Sequence, residues 1–178
     1  MKKIVLNDTN IIIDLMSVDI FDSLFHLPWE AHITDMVRRE LKREQQFELA
    51  EKAIERGCLL VDIFTGEEVE EINERYERIQ ERTNLSPCDC SVWYASEKRG
   101  YTVLTGDKKL RNVIEECGIE VHGILYVIEE MQNANLLSPL DVVDILDRLQ
   151  NSKSRLPQNA IDALKIKMKE YIKNENNR

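Results

Sequence analysis

The sequence predicts an α/β protein of three layers, α/β/α, around a central mostly parallel sheet, with a helical C-terminal extension. Three observations predict it. Short apolar runs alternate with amphipathic segments up to about residue 125. The strand-like runs are apolar along their length, as strands covered on both faces are. Beyond about Tyr126 the pattern turns purely helical. Alternation of this kind closes into a parallel sheet with helices on both faces. The expected division is a domain over residues 1–125 and a helical segment over 126–178 packed on or beside it.

The elements follow in order. Lys3-Ile4-Val5-Leu6-Asn7 is the first strand, and Ile11, Ile12, Ile13 and Leu15 mark the helix after it. Ala31-His32-Ile33-Thr34 is a weaker strand leading into a helix from Asp35. Cys58 to Phe64 reads as a strand and Glu67 to Arg82 as a very polar helix. Ser86 to Lys98 is a helix ended by Gly100, and Tyr101 to Thr105 a strand. Asp107 to Cys117 is a helix ended by Gly118, followed by a last strand, Ile119 to Ile124. Ser138-Pro139-Leu140-Asp141 starts a further helix, with a Ser cap, Pro at the first position and an acid at the third. After a polar break, Asn151 to Leu156, the final helix begins at Pro157.

Composition sets the class. The chain has 178 residues, 43% hydrophobic and 32% charged, with only 6 Gly and 4 Pro, which suits a globular domain and excludes a low-complexity scaffold. No apolar stretch reaches the roughly 18 residues a spanning helix needs, so no membrane role is expected. Met1-Lys2-Lys3 begins like a signal peptide, but Asp8 and Asp14 interrupt the apolar region and no small-residue cleavage site follows. The expected compartment is the cytoplasm. Cys58, Cys88, Cys90 and Cys117 contain no C-x-x-C pair, and His26, His32 and His122 lack the i, i+4 spacing of a helical metal pair. Buried structural thiols are the simpler reading, and zinc is disfavoured. With 24 Lys+Arg against 33 Asp+Glu the net charge is −9. That is wrong for a generic nucleic-acid coater and favours a basic protein partner, while leaving RNA as a substrate met by local cations.

Ligands of an open parallel sheet bind beyond the carboxyl ends of its strands. That rule selects Asp8, directly after the first strand, and Asp107, which follows Tyr101–Thr105 in Thr105-Gly106-Asp107. Either could equally be a simple helix cap. On a helical wheel Glu40 falls between Met36 and Val37 on an apolar face, where a carboxylate is costly unless paired or metal-bound. Glu44 competes for that role if the helix continues. Asp89 projects between Val92 and Trp93, although Ser86-Pro87-Cys88-Asp89 is itself an acidic capping box. If Asp8, Glu40, Asp89 and Asp107 converge, their repulsion calls for a hard divalent cation, Mg²⁺ before others.

Asp8-Thr9-Asn10, Glu40-Leu41, Asp89 at a helix start and Thr105-Gly106-Asp107 after a strand, in this order, resemble the PIN-domain nucleases. The eighteen-residue interval from Asp89 to Asp107 and the phrase Tyr101-Thr102-Val103-Leu104-Thr105-Gly106-Asp107-Lys108-Lys109-Leu110 are its most specific parts. The resemblance covers residues 1–125, and Ile124 to Leu164 resembles the helical tail of one bacterial and archaeal subgroup. It implies a Mg²⁺- or Mn²⁺-dependent ribonuclease, often the toxin of a VapBC-type toxin–antitoxin pair, with an antitoxin partner and a homodimer as further implications. It also implies that Asp8, Asp89 and Asp107 bind metal, that Glu40 completes the site directly or through water, that Thr105 supports it and that Asn10 lies near its pocket. Two features depart from the pattern: Asp89 sits between two cysteines, and the acidic segment Glu67–Glu81 is longer than a minimal core needs.

Lys108, Lys109 and Arg111 follow Asp107 and could meet phosphates flanking the cut, or form a solvated helix surface. Arg38 and Arg39 adjoin Glu40 but face away from it. No aromatic array suggests single-strand stacking, so RNA affinity should be modest and strongly salt-dependent. An aspartyl-phosphate phosphatase would want an acid where Asn10 stands and another where Arg111 stands, and a receiver domain an acidic pair where Asn7-Asp8 supplies one. The stronger rival is a catalytically inactive module of the same fold that binds a protein or RNA partner. Retention of all four acids speaks against it.

Overall fold

The computed structural model describes residues 3–152 and 156–175. Its strands are β1 (Lys3–Asn7), β2 (Trp29–Thr34), β3 (Leu59–Asp62), β4 (Thr102–Leu104) and β5 (Val121–His122). They form one sheet in the order β3-β2-β1-β4-β5, and every pairing is parallel. Between them run α1 (Thr9–Ser17), a 3₁₀ turn at Asp22–His26, α2 (Asp35–Glu40), α3 (Glu44–Glu55), α4 (Gly66–Thr83), α5 (Pro87–Arg99) and α6 (Lys108–Glu116). The helices α7 (Ile124–Asn133), α8 (Pro139–Gln150) and α9 (Gln158–Glu175) complete the chain. The predicted parallel α/β architecture with a helical C-terminal part is therefore what forms. Among the described residues no helix is long and apolar enough to cross a membrane.

The central strand explains the placement of the site. In β1, Val5, Leu6 and Asn7 are fully buried between β2 and β4. Its carboxyl end therefore emerges beside that of β4, and the Asp8 N–H closes the pairing by donating to Leu104 O at 2.9 Å. The C-terminal helices share the sheet's core. Val127, Ile128, Met131, Val142, Leu146 and Met168 are fully buried in the same cluster as Leu6, Ile11 and Ile12. Arg148 of α8 donates to Val18 O and Ser17 O at the end of α1, at 3.2 and 3.3 Å.

Several boundaries differ from those expected. The helix from Asp35 stops at Glu40: Leu41 is 2% exposed, and burying it turns the chain out of the helix, with Lys42 N bonding Glu40 O at 2.8 Å. A separate helix, α3, starts at Glu44, so Glu44 is not on the apolar face of α2. The strand expected over Cys58–Phe64 pairs only from Leu59 to Asp62, and that over Ile119–Ile124 only at Val121–His122. The latter pairs with β4 alone, which offers three residues, and α7 already begins at Ile124.

Candidate acidic site at the strand exits

Asp8, which is 3% exposed, is the N-cap of α1 and has an extended backbone. Its Oδ1 accepts from Thr9 N at 2.7 Å. Its Oδ2 accepts from the Thr105 hydroxyl at 2.6 Å and from the Asn10 amide. Thr105, fully buried at the exit of β4, also accepts from Asp107 N at 3.0 Å. One hydroxyl thus ties two acids from strands whose residues lie almost a hundred positions apart. Asn10 adds a second tie, because its Oδ1 accepts from Gly106 N at 2.6 Å. A Cβ on Gly106 would sit 3.0 Å from that same oxygen, so a side chain here would push the Asn10 amide out of place.

The other acids are also held by helix ends. Asp107 caps α6, its Oδ1 accepting from Lys109 N at 2.7 Å and Leu110 N at 2.9 Å. Asp89 closes the capping box of α5, its Oδ2 accepting from Ser86 N at 2.7 Å. Capping is therefore real for all three aspartates. The described bonds engage one oxygen each of Asp89 and Asp107. Glu40 ends α2 and is exposed, which corrects the expectation that it lies inside an apolar stripe; its Oε2 accepts from the Thr9 hydroxyl at 2.7 Å.

The charges of these groups reach one another. Burial pushes the Asp8 carboxyl up to about 6; the Thr105 hydroxyl opposes this and the charge of Asp89 adds to it. Burial also raises Asp89, its bonds from Ser86 oppose the shift, and Asp107 and Glu40 reinforce it. Cys88, buried on α5, has its thiol raised by burial and then by the charges of Glu40 and Asp8, so it stays protonated. Among the described residues, none of the four acids has a Lys or Arg within ion-pairing distance. Nor do any three Asp, Glu, His or Cys side chains among them stand close enough to form a ready-made metal cage. What the strand exits present is a set of anionic oxygens, coupled and uncompensated. A hard divalent cation fits such donors, since it removes their repulsion and prefers oxygen ligands.

Two contributors escaped the sequence reading. Thr9 orients Glu40, and its signal was its place in the Asp8-Thr9-Asn10 turn; the Cys88 thiol faces Glu40 from α5. Of the cations after Asp107, Arg111 is turned inward, donating to Thr105 O at 3.0 Å and Val121 O at 3.3 Å. That leaves Lys108 and Lys109 exposed and without a side-chain partner among the described residues. A cleft of about 590 Å³ borders the acids on the other side, lined by Asn10, Ile13, Arg43, Gly106 and Asp107 among others.

In comparisons with known proteins, the family model DUF3368, described as a PIN domain, matches residues 4–170. The matched span contains all four acids and most of α9. No curated protein matches the chain.

Proposed function

This chain belongs to the PIN-domain family, and on that premise we propose that it is a metal-dependent ribonuclease hydrolysing RNA phosphodiester bonds at the strand exits. Asp8, Asp89 and Asp107 are assigned to hold Mg²⁺, with Mn²⁺ as the substitute, and Glu40 to complete the site. The ion's contribution when bound is to lower the pKa of a water and stabilise charge at the phosphorus centre.

The rest is done by the chain. Thr105 donates to Asp8 and accepts from Asp107 N, which fixes the spacing of those carboxylates. Asn10 bridges Asp8 to Gly106 and stops the turn after β4 from drifting. Thr9 aims Glu40 toward the same edge. Lys108 and Lys109 are assigned to phosphates beside the cut. The net charge of −9 also suits a small basic antitoxin, and the family supports a homodimer.

The observation that carries this reading is the uncompensated coupling of Asp8, Asp89, Asp107 and Glu40. Capping accounts for the place of each aspartate but not for the gathering of four like charges around the buried Asp8, which a bound cation would relieve. The test is Mg²⁺-dependent cleavage of RNA by wild type beside Asp8→Asn and Asp107→Asn. Activity is expected in wild type alone. Equal activity in all three preparations would indicate a contaminant and remove the ribonuclease reading.

A further inference from the structure

We propose that the cleft between the end of α4, the first half of α5 and α6 is a nucleotide subsite, in which a base flanking the cut bond packs against Trp93 and its phosphates meet Lys109 and Arg82. The proposal rests on the ribonuclease reading and specifies how that site grips its strand. The cleft has a volume of about 480 Å³, within the range of roughly 300–1,000 Å³ that small-molecule sites occupy. None of the four acids lines it, but two of its residues lie close to them along the chain. Trp93 lies one helical turn beyond Asp89 on α5, and the Lys109 N–H donates to the capping carboxylate of Asp107.

The wall chemistry is that of a nucleotide site. Arg82 and Lys109 are exposed and have no side-chain partner among the described residues. Several cations on α4 and α5 are engaged, Arg75 with Glu97, Lys98 with Glu71, and Arg99 with Asp62 and Glu68, while Arg78 bonds only the Glu74 carbonyl. Free cations beside paired ones are placed for an anion from outside. The indole of Trp93 is held by the Arg75 guanidinium, 4.2 Å from the ring centroid. Asn112 and Glu116 on the facing helix supply a donor and acceptors for a base edge. This also gives the long acidic helix α4 a use, since its far end, and not its acidic run, forms the cleft wall.

The chain has two tryptophans, and the other, Trp29, is buried and stacked on Tyr126. Base stacking can therefore be read by fluorescence. In the full chain carrying Asp8→Asn, with Mg²⁺ present, a short single-stranded RNA should quench emission saturably, whereas inorganic phosphate should not. Adding Arg82→Ala at the exposed rim should weaken RNA binding about ten-fold and flatten its salt dependence. In the otherwise wild-type chain, Trp93→Leu should raise KM for RNA about ten-fold while kcat holds. If wild type cleaves RNA but neither Arg82→Ala nor Trp93→Leu changes affinity or KM, the subsite is wrong and the ribonuclease reading stands. If an acidic peptide displaces the RNA and quenches as strongly, the cleft is a protein-docking site and the proposal falls. If wild type neither binds nor cleaves RNA, both readings fall together.

Discussion

Asp8 and Asp62 are both buried aspartates at strand ends, 3% and 8% exposed, yet they live in opposite surroundings. Asp62, closing β3, meets His32 Nδ1 at 2.9 Å and Arg99 Nη1 at 2.9 Å. Arg99 continues to Glu68 of α4 and His32 to Glu30, so alternating charges bind β2, β3, α5 and α4 into one network. Among the described residues Asp8 is met only by neutral donors from Thr9, Asn10 and Thr105, and by the negative field of Asp89. At the end of β3 the fold has cations in place for its buried acid. At the strand exits it supplies dipoles that fix geometry without cancelling charge. On the proposed function, that difference separates a carboxylate that holds the structure from one kept for a ligand.

The comparison can be broken most directly by exchanging the two roles. Asp8→Asn should cost about 1,000-fold in RNA cleavage, equivalent to about 4 kcal/mol of barrier, while thermal stability stays level or rises. Asp62→Asn should do the reverse, losing about 3 kcal/mol of stability because His32 and Arg99 are left without their buried partner. If chemical denaturation and cleavage assays moved together in both variants, the two sites would not be different in kind. A smaller effect should separate them by metal. Mg²⁺ at ten times its dissociation constant should stabilise wild type by about 1.4 kcal/mol, and Asp8→Asn by much less, in thermal melts.

The smallest expected effect belongs to the paired region alone. Burial of His32 works against its charge, but its bonds to Asp62 and Glu30 outweigh this and raise its pKa above 6.5. A raised histidine contributes stability that is fully present below the unfolded value and lost as pH rises through the folded one. Denaturation midpoints of wild type should therefore fall as pH climbs above 6.5, and His32→Gln should flatten that slope. Persistence of the full slope in His32→Gln would assign it to another group.

The legible parts of this molecule were those written in local pattern. The apolar runs of β1 and β4 fixed the sheet, and acids directly after them had to lie on one edge, so Asp8 and Asp107 could be found without coordinates. The Ser86 and Ser138 capping boxes formed as read. The break between α2 and α3 was not legible, because it comes from burying Leu41 and carries no Gly or Pro. Glu40 was placed on a face by helical periodicity, but its helix ends there and the Thr9 hydroxyl decides where its carboxylate sits. The His32–Asp62–Arg99 network was hidden for a different reason: its members come from three elements, and nothing in their spacing announces that they touch.

The Thr105 bridge joins residues 8 and 105, so neither half of the acidic edge exists in a chain that has made only one of them. A polypeptide still emerging from the ribosome cannot assemble this edge until β4 and the residues to Asp107 have appeared and docked beside β1.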